Sequence, residues 1–362
     1  MKSMREKITV MVTGLTGGGL GEQILKALRL AGDRYTVVGG DMSPEAKDLA
    51  EVEHPLTLPP ASAEDYLEAV ALACNGHGVR ALFPGSEPEL TVLGRNRKVL
   101  EDAGVLLPVN PPEVLDICLD KFRTNQWLRV HGFDFPATFL ISGSDDLERV
   151  PDSALPAVLK PATGGGGSNN LHLAQTPEEL RFLGQYLLWN LGPFVVQQYV
   201  GDPDSEYTVG VLSDMDGVFI NSIALRRSIL SGLSNRLKVK NRTGKKELGE
   251  ILAVSSGVSQ GRIGRFPEIT SVCEEIARKM GARGPLNIQG RRHQGRFFVF
   301  EINPRFSGTA PLRALAGFNE PDLLIRRHLL GEKIQPRFEY RQGRAARGLS
   351  EIFREGSLDH DV

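Results

Sequence analysis

The N-terminal part of the chain alternates short apolar β-runs with segments of helical period, and few folds can accommodate that order. A β-run, Ile8 to Thr13, meets a glycine-rich turn, Gly14 to Gly21. A helix follows, with Ile24, Leu25, Leu28 and Ala31 at helical spacing. A second run, Tyr35 to Val38, ends near Asp41. Next come a helical stretch from Ala63 to Ala73, the run Ala81–Leu82–Phe83, a helical stretch from Leu90 to Ala103 and a short run at Val105 to Leu107. Strands separated by helices are joined by crossovers, which imply parallel β-α-β units. The spacing predicts an α/β domain with a parallel, Rossmann-like sheet over residues 1–112.

Beyond it the pattern changes. A helical segment from Pro112 to Val130 leads to the turn Gly132 to Pro136. The strand Ala157 to Lys160, a helix near Pro177 to Leu188 and the strand Phe194 to Gln198 make one α+β lobe, over 113–205. From Glu206 several strands alternate: Tyr207–Leu212, Val218–Ala224, Leu286–Gln289 and Phe297–Ile302. With a helix from Pro267 to Met280 and a helical stretch from Pro311 to Gly331, they make a second α+β lobe over 206–335. The tail, 336–362, is rich in Arg, Gly and Glu and carries no assigned element.

Composition narrows the function. With 362 residues and a net charge of −1, the chain has no basic field of the kind that draws in nucleic acid or an anionic membrane. It has no run of about 18 apolar residues, the length a membrane helix needs. The opening MKSMREKITVMVTG is interrupted by glycine too early for a signal-peptide core. Cys74, Cys118 and Cys273 show neither metal-ligand spacing nor an even disulfide framework and read as buried, reduced thiols. The expected location is cytoplasmic.

Three stretches carry chemistry. In the first, a strand ends in Lys160 and runs through Pro161–Ala162–Thr163 into Gly164, Gly165, Gly166, Gly167 and Ser168. Glycine lets backbone N–H groups approach phosphate oxygens, and a strand-end lysine adds a point charge. No Gly-Lys-Ser/Thr follows, so this is not a Walker A loop. Taken alone, the stretch is equally an exposed hairpin. In the second, Gln289 ends one strand and Glu301-Ile302-Asn303-Pro304-Arg305 ends another. Glu301 and Asn303 share a strand face, and a carboxylate beside an amide oxygen suits Mg²⁺, which keeps waters and takes its remaining ligands from phosphates. Arg305 can hold a phosphoryl or carboxylate group in its fork. A polar strand end facing water is the plainer alternative. The third stretch is Val195-Val196-Gln197-Gln198-Tyr199-Val200, then Glu206. A strand running into a turn can offer its backbone to an adenine edge, with Glu206 accepting from ribose hydroxyls. It is also what an ordinary buried strand and turn look like.

These pieces, in this order, resemble the ATP-grasp superfamily, and most closely its carbamoyl-phosphate-synthase-like group, which includes amino-acid ligases such as the pyrrolysine-biosynthesis ligase. The resemblance covers residues 5–333. It implies an N-terminal domain and two α+β lobes clamping ATP. It implies that Lys121 and Lys160 touch the phosphates and that the Gly164–Gly167 loop with Ser168 folds over them. Gln197, Gln198 and Val200 would line the adenine and Glu206 the ribose. Gln289, Glu301 and Asn303 would hold Mg²⁺, with Mn²⁺ as a substitute, and Arg305 would contact the transferred phosphoryl group or the acyl substrate. The chain departs from relatives in carrying Gln197–Gln198 where an acidic residue is frequent. One ATP-grasp unit is visible rather than the two of a full carbamoyl-phosphate synthetase.

Weaker signals compete. Gly14 to Gly21 after a strand, with Asp41 about twenty residues on, mimics a dinucleotide fingerprint, though any tight first βα turn needs such glycines. Ser86 before Glu87 and Glu89 reads as a helix cap with acidic first-turn residues. The basic segment from Arg226 to Arg242 is either an anion site or a solvated loop. The expected activity is activation of a substrate carboxylate as an acyl phosphate, ADP-forming, followed by attack of an amine. A nucleotide-binding regulatory protein is the alternative. Expected partners are a small carboxylic acid, an amine or amino acid, and a second copy of the chain, but not nucleic acid or membrane.

Overall fold

The apolar and β-branched residues of Ile8–Thr13 (β1) let that strand bury both faces. The computed structural model describes residues 7–164 and 170–348. In it β1 pairs in parallel with Tyr35–Asp41 (β2) and Ala81–Phe83 (β4), and β2 with His54–Thr57 (β3), giving the order β3-β2-β1-β4. The crossovers are helices α1 (Leu20–Arg29) and α2 (Tyr66–Gly76), and α3 (Glu87–Arg95) and α4 (Arg97–Asp102) follow β4. Met11, Val38 and Leu82 pack with Tyr66, Val70, Leu90 and Leu93 on one face. Val10, Val12, Val37 and Phe83 point the other way, onto Ile24, Leu25 and Leu28. The parallel sheet is the one that the sequence pattern predicts, except that its fourth strand is β3 and the expected run Val105–Leu107 makes only a bridge, Leu106 to Ala81.

Two helices, α5 (Pro112–Cys118) and α6 (Lys121–Val130), replace the single helix expected over Pro112–Val130. The break has a local cause. The Asp120 carboxylate accepts from the backbone N–H groups of Phe122 and Arg123 (2.8 and 3.0 Å) and starts a new helix at Lys121. The stretch Leu90–Ala103 is also divided, at Asn96, whose side chain instead donates to the Val92 carbonyl (2.9 Å).

The next unit is an antiparallel sheet in the order β5-β8-β6-β7, from Thr138–Ile141 (β5), Ala157–Pro161 (β6), His172–Ala174 (β7) and Phe194–Gln198 (β8). Helices α7 (Ser144–Leu147) and α8 (Pro177–Leu191) cover it through Leu147, Leu180 and Leu187.

The third unit is a six-stranded antiparallel sheet and a separate hairpin. In chain order its strands are β9 (Glu206–Ser213), β10 (Phe219–Arg227), the hairpin β11 (Asn235–Lys240) with β12 (Ile251–Ser255), β13 (Gly261–Gly264), β14 (Pro285–His293), β15 (Arg296–Asn303) and β16 (Gly343–Ala345). The large sheet runs β15-β14-β9-β10-β13-β16. Helix α9 (Pro267–Met280) packs Ile269, Cys273 and Ile276 against Val209, Val211 and Ile288. Helices α10 (Ala310–Leu315) and α11 (Glu320–His328) bring Leu312, Phe318 and Leu324 into one core with Ile24, Leu25 and Leu28 of α1. Polar links reinforce this junction: Asn319 Nδ2 donates to the Ala27 carbonyl (2.6 Å) and the Tyr35 hydroxyl to Asp322 (2.7 Å). The tail left unread in the sequence supplies β16, which closes the edge beyond β13.

Candidate active site

The three units meet at a cavity of about 1190 Å³. That exceeds the roughly 300–1,000 Å³ of pockets that hold one small ligand. Its floor is the face of the large sheet that β14 and β15 build. Antiparallel register puts Gln289 opposite Glu301 and Asn287 opposite Asn303, so all four side chains share that face. The pairing then shifts: Gln289 pairs with Glu301, but Gly290 pairs with Val299, which leaves Phe300 as the extra residue of a bulge. A bulge re-aims the side chains that follow it. Here it brings Phe298, as well as Glu301 and Asn303, to the cavity, while Phe297 and Val299 remain in the core.

The roof comes from β6 and β8. Lys160 is 7% exposed; its ammonium donates to Gln197 Oε1 (2.9 Å) and to the Phe300 carbonyl (3.3 Å). Burial pushes this ammonium down to about 8 from its ordinary value; Glu301 opposes the shift and Lys121 adds to it. Gln197 itself is buried and gives its Nε2–H to Thr138 (3.1 Å), so its side chain orients Lys160. Lys121, placed by the break between α5 and α6, donates to the Gly164 carbonyl (2.9 Å) where the glycine loop begins. Gly165, Gly166, Gly167 and Ser168 lie outside the described residues. Gln198 and Val200 line the cavity beside Val158, Leu171 and Phe298. The apolar members of that set give this part of the cavity an apolar lining.

Glu206 lines the cavity but is 1% exposed, and its charge is already engaged. Oε2 accepts from Arg291 (2.9 and 3.0 Å), and Oε1 lies 3.1 Å from Arg227 Nη1, an ionic contact outside hydrogen-bond alignment. Burial alone would raise this carboxyl; Arg291 and then Arg227 outweigh it and hold the group low. Arg227 also reaches Gln289 Oε1 (3.3 Å), the Ser255 hydroxyl (2.9 Å) and the Ser256 carbonyl (2.6 Å). Arg291 stacks on Tyr199 at 4.4 Å and donates to the Ala253 carbonyl (2.7 Å). The sequence marks Arg227 only as a member of the basic segment and does not mark Arg291. The signal was present for Arg291: it follows Gln289 by two and Asn287 by four along an alternating strand.

At the far end, Arg305 donates to the Phe306 carbonyl (2.9 Å) and faces Glu87 at 3.9 Å. Glu87 opens α3, and Ser86 caps that helix as expected, accepting from the Glu89 N–H (3.3 Å). The glycine turn of the N-terminal domain has a packing role. A Cβ on Gly85 would sit 1.9 Å from the Thr13 carbonyl oxygen, and one on Gly21 2.3 Å from the same atom. Asp41 is spent inside the turn, accepting from the Thr16 N–H (2.8 Å) and hydroxyl (2.5 Å) and from the Ser43 N–H (2.8 Å). A carboxylate so engaged has no obvious share left for a dinucleotide ribose.

The basic segment divides. On β11, Leu237 and Val239 turn inward while Lys238 and Lys240 face solvent. Only Arg227 and Arg236 of the segment reach the cavity. All three cysteines are free and buried. Among the described residues no helix is long and apolar enough to cross a membrane.

The donor set fits a shared cation better than a dedicated one. Among the described residues no three His, Cys, Asp or Glu cluster. The face offers one carboxylate, Glu301, with the amides of Gln289 and Asn303, and Asn303 Nδ2 is buried without a partner. A single carboxylate matches Mg²⁺ completed by phosphate oxygens and water.

Known proteins place this arrangement. A family model described as "ATP-grasp in the biosynthetic pathway with Ter operon" matches residues 250–348, and one described as "PylC-like, N-terminal domain" matches residues 14–108. The carbamoyl phosphate synthase large chain of Renibacterium salmoninarum is 24% identical over 323 residues, 85% of this chain and 27% of that protein. The chain thus spans about a quarter of the length of the curated relatives of that kind. An N5-carboxyaminoimidazole synthetase from Staphylococcus aureus, solved with ADP, superposes with a TM-score of 0.62 at 14% identity, covering 93% of this chain and 81% of that one. An L-amino acid ligase from Bacillus licheniformis gives 0.60 at 18% identity, over 92% of this chain and 78% of that one.

Proposed function

We propose, from its likeness to the ATP-grasp and PylC-like family models and to carbamoyl phosphate synthase large chains, that the chain is an ATP-grasp, ADP-forming ligase joining a carboxylate to an amine. The observation that carries the reading is convergence. Lys121 and Lys160 from one lobe and Gln289, Glu301, Asn303 and Arg305 from the other line one cavity. Its volume leaves room for a nucleotide and a second ligand.

In this reading the base lies between Val158, Leu171 and Phe298, and the phosphates run toward Lys160 and Lys121. Glu301, Asn303 and Gln289 hold Mg²⁺, which neutralises charge on the phosphates when bound. Arg305 orients the substrate carboxylate, whose oxygen attacks the γ-phosphorus. The bond to the β–γ bridging oxygen breaks and ADP leaves. The amine nitrogen then attacks the acyl carbon, phosphate leaves with the bonding pair, and the nitrogen loses a proton. Phosphoryl transfer asks the protein for position and positive charge, and two lysines and an arginine around the reacting group supply both. Glu206, locked by Arg227 and Arg291, contributes a fixed wall beside the ribose position.

The test is the product set. With Mg-ATP, a panel of carboxylic acids and hydroxylamine in place of the amine, the reading expects ADP, phosphate and a hydroxamate. AMP and pyrophosphate would instead mean an adenylate intermediate and overturn the acyl-phosphate route.

A further inference from the structure

On the same sheet face as Glu301 and Asn303, beside Asn287, lies a buried ion pair that the reaction as described does not use. Arg313 of α10 is 1% exposed and Glu320 of α11 is 0% exposed. Arg313 Nη1 contacts both Glu320 oxygens (3.1 and 3.2 Å), and Nη2 donates to Asn287 Oδ1 (2.7 Å). The Thr208 hydroxyl donates to the same oxygen (2.8 Å). The sheet makes room for the guanidinium by having no side chain at Gly210, where a Cβ would sit 2.2 Å from Nη1.

This geometry settles which way the Asn287 amide points. A guanidinium has five donors and no acceptor, so the amide atom facing it must be oxygen. The NH₂ group is therefore turned away from Arg313 and Thr208. Asn287 lines the cavity, opposite Asn303 and two residues from Gln289, and its Nδ2 has no protein partner among the described residues. An amide nitrogen at that place cannot ligate a cation; it can donate to an acceptor oxygen, a phosphoryl oxygen among them.

We propose that Arg313 and Glu320 are positioning residues for the proposed reaction, locking the Asn287 amide so that its NH₂ donates to the transferring phosphoryl group. Glu320 fixes the guanidinium, the guanidinium fixes the amide oxygen, and the donor faces the cavity without having to reorient. Stability alone gives little reason for such a pair, since apolar replacement of a buried ion pair is frequently neutral or stabilising. The inference rests on the ATP-site reading given above.

The experiment measures two affinities by calorimetry, MgADP alone and orthovanadate in the presence of saturating MgADP, with vanadate standing in for the phosphoryl group. The variants are Asn287→Ala, Glu320→Gln and the double replacement Arg313→Met with Glu320→Leu, which removes the pair without leaving a lone buried charge. Expected is an MgADP Kd within about twofold of wild type in all three. Vanadate should bind about tenfold or more weakly, the scale of losing one hydrogen bond to a charged group. A folded double variant with wild-type vanadate affinity overturns the positioning role, and an Asn287→Ala protein with wild-type vanadate affinity overturns the donor. Failure of the wild-type protein to bind MgADP would instead sink the ATP-site reading and this proposal with it.

Discussion

Glu206 and Glu301 stand on one face of one sheet, in opposite surroundings. Glu206 is 1% exposed and sits between Arg227 and Arg291 on the strands to either side. Glu301 is half-buried, is opposed by the neutral Gln289, and makes no ion pair among the described residues, interacting only at longer range with Lys160 across the cleft and with Arg227. The contrast teaches how a sheet assigns roles to chemically equal groups. A carboxylate flanked by guanidinium groups becomes a fixed strut, because removing it strands two buried charges. A carboxylate flanked by amides keeps its charge available to a cation that arrives with the nucleotide.

Breaking the two carboxylates should therefore give different phenotypes. Glu301→Ala is expected to lower turnover on the order of a thousandfold or more, because a ligand of the charge-neutralising metal is gone. Its thermal unfolding midpoint should stay close to wild type. Glu206→Ala should instead cost about 3–5 kcal/mol of stability, the scale of stranding one partner of a buried ion pair, read from urea denaturation. A stable Glu206→Ala protein, or an unfolded Glu301→Ala protein, would erase the distinction. Arg305→Lys tests the far end of the same face. A point charge replaces a planar fork, and kcat should fall roughly a hundredfold with a smaller change in ATP affinity.

Lys160 sharpens the comparison through pH. Its folded value of about 8 lies below its ordinary 10.5. At pH below about 8 both the folded and unfolded states hold the proton, and the burial penalty is present in full. Between about 8 and 10.5 only the unfolded state holds it, so stability of the free protein rises with pH across that window. Nucleotide phosphates favour the ammonium, so Mg-ATP affinity should move the other way, falling as pH rises through about 8. Calorimetry across that range should show this slope in wild type and a weaker, flatter profile in Lys160→Met. The smallest effect belongs to the solvent side of β11: Lys238→Ala with Lys240→Ala should shift stability by no more than about 0.5 kcal/mol and leave Mg-ATP affinity unchanged.

The parts of this molecule legible in the sequence share one property: their signals are local. The parallel sheet showed in the alternation from Ile8 to Phe83, and Glu301 and Asn303 showed because period-two spacing puts them on one face. The proposed metal-facing role of Gln289 also needs the register of β14 on β15, and the sequence offered Gln289 only as a further oxygen on a neighbouring strand. Arg227, Arg291 and Arg313 escaped because their meaning lies in partners far along the chain. The Arg291–Glu206 and Arg313–Asn287 contacts span 85 and 26 positions. The bulge at Phe300 escaped for a further reason. Nothing in Phe297–Phe298–Val299–Phe300 says which residue is extra, so strict alternation would place Phe298 on the face opposite Glu301. The hairpin β11–β12 was hidden by its charge: a run of exposed lysines drew attention from Leu237 and Val239, which turn inward between them.

The claim on which the rest depends is that the face carrying Glu301 holds a nucleotide through a divalent cation, and titration of ATP by calorimetry with and without Mg²⁺ tests it most directly, in wild type and in Glu301→Ala. The account predicts saturable binding to wild type that strengthens when Mg²⁺ is present, and a folded Glu301→Ala protein in which that Mg²⁺ enhancement is lost. Mg²⁺-enhanced binding of equal strength in both proteins, or no binding to wild type at all, would contradict it.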